Sequence, residues 1–465
     1  MQYHSTRGRA ASVGFESALI EGLARDGGLY VPVAWPSIGA AEISAFKGRP
    51  YAEIAAKVLS LFAGDAFDQD ALLEHARGVY GSFSDKAVAP LVRVDEEDWV
   101  LELFHGPTLA FKDFAMQILG RLFDDVLKKR QERLTIIAAT SGDTGAAAIH
   151  ALAPCQNVNV VVLHPHGGVT DVQRRMMTTV DQDNVLNVAV AGDFDQCQSI
   201  VKDLFADDQF RRKVCLSGVN SINWARLSAQ TVYYFSSIAV LGEGEGPIHF
   251  VVPTGNFGDV YAGYAAKKMG APVGTLGVAV NANDILHRAI KTGAYVPENV
   301  ERTLSPSMDI QVASNFERLL FDLHDGDGKA VRREMEKFRT DRALQLDDAL
   351  RSKIDGDFVS AAASEEDTLA QMKSAYKQHG RLIDPHTAVA LHAAQRFRGS
   401  GKLKGRIVTL STAHAAKFPE AVALATGKTP SLPPRWSNLF DLQEHMEYSP
   451  AETEAVKALI IKRFE

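Results

Sequence analysis

From Val92 onward the chain alternates short apolar runs of strand length with stretches of helical periodicity, and no other feature restricts its fold so far. The strand-like runs are Trp99–Phe104, Leu134–Thr140, Asn157–Leu163, Val185–Val190, Ile248–Val252, Thr275–Val280 and Ile407–Leu410. Between them, apolar residues at i, i+4 and i+8 predict a helix from about Lys112 to Lys129. Further helices are expected over Ala146–Leu152, Gln196–Phe205, Trp224–Leu241, Val260–Lys268 and Ala388–Arg396, the last capped by Asp384 or Thr387. Strands separated by helices cannot pair as hairpins, so the pattern predicts an α/β fold with a parallel, doubly wound sheet.

The flanks read differently. Residues 1 to about 90 are mostly helical, with helices over Tyr51–Phe62 and Leu72–Val79 and a turn at Arg25–Pro32 feeding a short strand. They offer no catalytic constellation and read as a separate unit that supports or covers a core. Residues 281–380 are less regular: a loop at Ser305–Ile310, then helices over Ser314–Leu323, Ala330–Phe338 and Glu366–His379. The last forty residues carry Pro430, Pro433 and Pro434 and close on a helix, Ala451–Phe464. The expected organisation is an N-terminal domain over 1–90, a catalytic core over 91–425 and a helical tail over 426–465 packed on it.

At 465 residues and 46% hydrophobic, the chain can build more than one core. A net charge of −7 argues against nucleic acid as a partner. The basic triplets Lys128–Arg130 and Arg211–Lys213 fall where helix C-termini favour cations. No run approaches twenty apolar residues, and the N-terminus lacks a signal peptide's pattern. Cys155, Cys197 and Cys215 have no metal-ligand spacing and read as small apolar fillers in a reducing cytosol. A cytoplasmic globular protein without metal is expected.

One lysine is out of place. Lys112 lies among Leu109, Ala110, Phe111 and Phe114, where a helix begins. Burial and positive surroundings both lower an amine's pKa, as a Schiff-base lysine requires. For a lone lysine the commoner explanation is a snorkelling side chain. Three loops downstream change that balance, each directly after a predicted strand, where an open α/β sheet places its ligands. Ser141–Gly145 pairs hydroxyls with glycines at a helix start, suited to a carboxylate or phosphate. Gly255-Asn256-Phe257-Gly258 permits an amide nest around a single phosphate, without the dinucleotide or Walker pattern. Ser411-Thr412-Ala413-His414 brings two hydroxyls to a strand end. Taken singly, each is an ordinary capping turn.

Together, in this order, they resemble the tryptophan-synthase-like (fold type II) family of pyridoxal-phosphate enzymes. The strings His105–Asp113, Thr140–Gly145, Gly255–Asp259 and Ser411–His414, with Tyr3–Arg7 and Asp26–Pro32 near the N-terminus, are similar to the threonine synthases in particular. The resemblance covers essentially the whole chain. It implies a two-lobed fold, pyridoxal 5'-phosphate as cofactor, and conversion of O-phospho-L-homoserine and water to L-threonine and phosphate. Lys112 would carry the cofactor as a Schiff base. Gly255, Asn256, Phe257 and Gly258 would cradle its phosphate, Thr412 would face the ring nitrogen and Asp143 would lie beside the ring oxygen. Ser141 and Thr144 would hold the substrate's carboxylate. Asn223 and Arg226, in Asn220–Arg226, match the stretch that binds the substrate's phosphate, although Arg226 could equally be a surface residue of its helix. Many relatives carry Asn at position 143. An ionised Asp there would repel a phenolate oxygen, so it is expected to be protonated, turned away or paired with a cation. The chain is expected to be a monomer or small homo-oligomer. The alternatives are a serine or threonine dehydratase-like lyase and a non-catalytic phospho-ligand-binding relative.

Overall fold

Two sheets carry the alternation. The computed structural model describes residues 1–218, 221–242 and 246–464. The larger sheet orders its strands Phe358–Ala362, Val273–Val280, Ile248–Pro253, Ile407–Ser411, Asp98–Glu102 and Leu91–Arg93. All neighbours are parallel except the last pair. The smaller sheet is wholly parallel, in the order Glu447–Pro450, Val185–Ala191, Val158–Pro165, Leu134–Ala139, Leu216–Ser217. Strands such as Val158–Pro165 are covered on both faces and therefore read as continuous apolar runs.

Two long helices connect the lobes. Lys112–Arg130 leads from the larger sheet into the smaller one, and Trp224–Leu241 leads back to Ile248–Pro253. The first begins at Lys112 itself and stops where Gln131 turns left-handed (φ 56°). Asp384 is the N-cap of Pro385–Gly399, accepting from the amides of His386 and Thr387.

The structure departs from expectation in several places. Phe358–Ala362, in the region read as irregular, is an edge strand of the larger sheet; five residues ending in Ser-Ala-Ala carry too weak an apolar signal. The C-terminal segment is not only helical. Glu447–Pro450 pairs in parallel with Val185–Ala191, and the Thr453–Phe464 helix packs behind it. An exposed edge strand with the pattern Glu-Tyr-Ser-Pro has no periodicity to betray it. Cys155 and Cys197 are buried fillers, but Cys215 is exposed at a left-handed backbone position (φ 48°).

The first ninety residues lie against the core. They form a three-stranded antiparallel sheet (Val13–Gly14, Gln2–Ser5, Tyr30–Pro32) with helices Phe15–Glu21, Tyr51–Ala63 and Gln69–Tyr80. These elements share one apolar core with both lobes. Trp224 is its pivot, with the rings of Tyr3, Trp35 and Phe62 within 5.7–6.0 Å of its own. Among the described residues, no helix is long and apolar enough to cross a membrane.

Candidate active site

The loop before Lys112 is laced to the end of the central Ile407–Ser411 strand. Leu103 N donates to Ser411 O (2.9 Å), Phe111 N to Thr412 O (2.9 Å) and His414 N to Leu109 O (3.0 Å). Leu109 turns the backbone with φ 58°. The amide and hydroxyl of Thr108 both donate to the buried Asp113 carboxylate at 2.7 Å, closing the loop onto the first turn of the helix. Lys112 thus has a fixed start, next to Thr412, which is itself buried.

Lys112 is buried, and that burial lowers its amine to about 8; Asp143 opposes the shift, while Arg226 and Lys417 add to it. Asp143 opens the helix Asp143–Leu152 in the smaller lobe. One of its carboxylate oxygens, Oδ2, lies 3.6 Å from Lys112 Nζ. The other, Oδ1, is 2.6 Å from Lys417 Nζ and accepts from Gln173 Nε2 at 2.9 Å. Burial alone would raise this carboxyl, but Lys417, then Lys112 and His386, hold it well below the usual carboxylate range. Of the three possibilities for Asp143, pairing with cations is the one observed.

The glycine loop after Ile248–Pro253 reaches the same place. Asp143 Oδ2 accepts from Ser307 Oγ (3.4 Å), and the Ser307 carbonyl lies 2.8 Å from where a Cβ on Gly255 would stand. Phe257 is left-handed (φ 63°) as the N-cap of Gly258–Lys268, and no side chain caps the first amides of that helix, which lack intrahelical acceptors. Asn315 fixes the loop, donating to Asn256 O from its amide and from Nδ2, both at 3.1 Å. Arg318 holds Asn315 Oδ1 in turn and donates to Tyr30 O (3.0 Å), while Thr6 and Arg7 bind the neighbouring Glu317. The N-terminal unit therefore braces the cradle.

Ser141 and Thr144 flank Asp143, half-buried, in a turn that Thr140 Oγ1 organises by accepting from the amides of Gly142 and Gly145 at 2.9 Å. Arg226 is buried, not on the surface, and burial lowers it to about 10 against the pull of Tyr233 and Asp259. Asp259 is buried too, raised to about 6 by burial, with Tyr233 and Tyr234 donating to it. Asn223 is engaged structurally: Oδ1 caps Trp224–Leu241 at Ala225 N (3.0 Å), and Nδ2 donates to Leu19 O (2.8 Å). Its side chain orients the helix that presents Arg226. Asn220, which opens that string, lies outside the described residues.

Sequence reasoning overlooked Lys417, Gln173, Asn315 and Arg318. Lys417 carried a signal: like Lys112, it is a lysine in an apolar run, Ala415-Ala416-Lys417-Phe418. The other three are ordinary polar residues on helices or a loop, brought in by tertiary packing alone. A cavity of about 790 Å³ lies behind the Ser411–Ala415 loop, lined by Glu102, Arg381 and Arg398 among others, and does not include Lys112.

These residues fit a phosphate-bearing aldehyde. Lys112 supplies an amine whose proton burial has loosened, and the glycine loop brings a helix start, where an anion is favoured, against the same carboxylate cluster. The chain matches the family described as pyridoxal-phosphate dependent enzyme over residues 87–336, threonine synthase N terminus over 2–80 and threonine synthase, C-terminal, over 387–460. It is 49% identical to the threonine synthase of Pseudomonas aeruginosa, covering 99% of this chain and 98% of that one. A crystal structure of PLP-bound threonine synthase from Brucella melitensis superposes with a TM-score of 0.96 at 44% identity, covering 100% and 99% of the two chains. The threonine synthase structure from yeast gives 0.94 at 37%, covering 99% and 98%. The fold is that of the fold type II enzymes that use pyridoxal phosphate. Within that class the chain belongs to the threonine synthase family.

Proposed function

We propose that this chain converts O-phospho-L-homoserine and water to L-threonine and phosphate, as a pyridoxal-phosphate-dependent carbon–oxygen lyase. The observation that carries the reading is the convergence of Asp143, the glycine-opened helix start and buried Arg226 on Lys112, on a chain related over its full length to threonine synthases. Lys112 would hold the cofactor covalently, Gly255–Gly258 its phosphate, Thr412 its ring nitrogen and Asp143 the side of its ring oxygen. When bound, the cofactor supplies a sink for the negative charge left on the substrate's Cα.

The chain's own groups account for the remaining demands. Ser141 and Thr144, at the start of a helix, orient the substrate's carboxylate. Lys112 Nζ, in its neutral form, is the group placed to take the proton from Cα, and it must give that proton up before it can take one from Cβ. Arg226 draws the substrate's phosphate to one end of the site and stabilises it as it leaves Cγ. Asn223 aligns the helix that carries Arg226. We infer that residues 91–425 hold the site, that 1–90 brace it and that 426–465 complete the smaller lobe. We also infer a cytoplasmic monomer or small homo-oligomer that does not act on nucleic acid.

The test is phosphate release from O-phospho-L-homoserine, with the amino-acid product identified in the same reaction. Equal amounts of phosphate and threonine are expected. Phosphate with 2-oxobutyrate would make the chain a dehydratase-like lyase. No phosphate release by cofactor-loaded protein would leave a non-catalytic phospho-ligand binder.

A further inference from the structure

One fully buried cation beside Asp143 is not used by the proposed chemistry. Lys417 is fully buried, on a 3-10 turn following the central strand of the larger lobe. Its ammonium donates to Thr108 O (2.8 Å) and meets Asp143 Oδ1 at 2.6 Å. Its backbone carbonyl accepts from Thr170 Oγ1 (3.0 Å), beside the helix that carries Gln173. Lys417 therefore reaches across from the larger lobe to a carboxylate of the smaller lobe, which on its other oxygen faces Lys112.

We propose that Lys417 is a positioning residue: by fixing and neutralising the Asp143 carboxylate it decides how strongly that carboxylate holds a proton on Lys112. The Asp143–Lys417 pair thereby serves in this chain as a neutral unit beside the cofactor lysine.

The charge arrangement carries the argument. Asp143 is faced by Lys417, Lys112 and His386, and by the neutral donors Gln173 and Ser307. Lys112 is faced by Asp143 and Asp259, which favour its proton, and by Arg226 and Lys417, which disfavour it. An Asp143 anion without Lys417 would hold the Lys112 proton more tightly. Without its charge, Asp143 would no longer oppose the burial of Lys112. The two members of the pair thus act on Lys112 with opposite sign, which a purely structural bond would not do.

The inference rests on Lys112 being the cofactor lysine, and one experiment separates the two. Full-length protein stripped of cofactor is mixed with pyridoxal 5'-phosphate across a pH series, and capture is followed by visible absorbance. Capture joins the neutral amine to the aldehyde carbon and releases water, so its rate rises with pH through the titration of the amine. In the wild type the midpoint is expected near 8. Lys417→Met should move it up by about one unit and Asp143→Asn down by a similar amount. The double variant should return toward the wild type. Should Lys417→Met fail to fold, Asp143→Asn, which preserves shape, still tests the sign. Shifts of one sign in both single variants, or no shift in either, would overturn the proposal while leaving Lys112 in place. Capture by Lys112→Ala at the wild-type rate would remove the cofactor lysine and this inference together.

Discussion

Lys112 loses its proton before an exposed lysine would, and the consequence reaches stability as well as chemistry. Its folded-state value of about 8 lies under the ordinary 10.5. The folded chain therefore binds fewer protons than the unfolded chain between those values, and folding gains stability as pH rises through that window. Below it, the buried charge costs on the order of 3 kcal/mol. In cofactor-free protein, Lys112→Met should be more stable than the wild type near neutrality, and the difference should close towards pH 10.5; urea midpoints across the range measure it. Asp143 behaves oppositely: its contribution is full above the usual carboxylate range and is lost progressively as the pH falls from that range towards its own, lower value. Asn223 makes a different kind of prediction. As a helix cap, its replacement by alanine should cost about 1 kcal/mol and change KM little. A large rise in KM for the phosphorylated substrate with unchanged stability would mean that the side chain holds phosphate directly.

At the scale of elements, the site is a matter of loop ends meeting. Gly255 lies so close to the Ser307 carbonyl that a Cβ would stand 2.8 Å from it. Gly255→Ala should push the cradle away from the 305–310 loop and weaken cofactor binding roughly tenfold or more, about 1.4 kcal/mol, with a far smaller change in Tm. Equilibrium dialysis against pyridoxal 5'-phosphate would show it. The alternation of strands and helices was legible because strands covered on both faces must be apolar throughout, and Trp224–Leu241 has the bounds that its periodicity implies. The missed edge strands, Phe358–Ala362, Leu91–Arg93, Glu447–Pro450 and Leu216–Ser217, lie where a strand has one neighbour and needs no continuous apolar run.

Over the whole molecule, two regions distant in sequence from Lys112 hold its surroundings in place. Trp224 joins the N-terminal unit to the core, and Trp224→Ala should cost about 3–5 kcal/mol in urea unfolding, given its complete burial. The C-terminal tail grips the helix Asp171–Thr178: Glu444 pairs with Arg174 at 2.9 Å and accepts from Thr178 Oγ1 at 2.8 Å. That helix carries Gln173, which donates to Asp143. Glu444→Ala should speed hydrogen exchange across Asp171–Thr178 more than across Trp224–Leu241.

Local pattern in the chain is enough for the α/β class, the order of the central strands and their helices, the lysine at a helix start and the glycine and hydroxyl loops at strand ends. Those signals lie within a few residues of one another. Only the tertiary structure decided which residues complete the site. Lys417 follows Lys112 by some three hundred positions, and Arg318 and Asn315 reach the cradle from a helix with no motif of its own. It likewise decided that Asp143 is an anion, because a carboxyl's charge depends on what surrounds it, and here two lysines from the other lobe do.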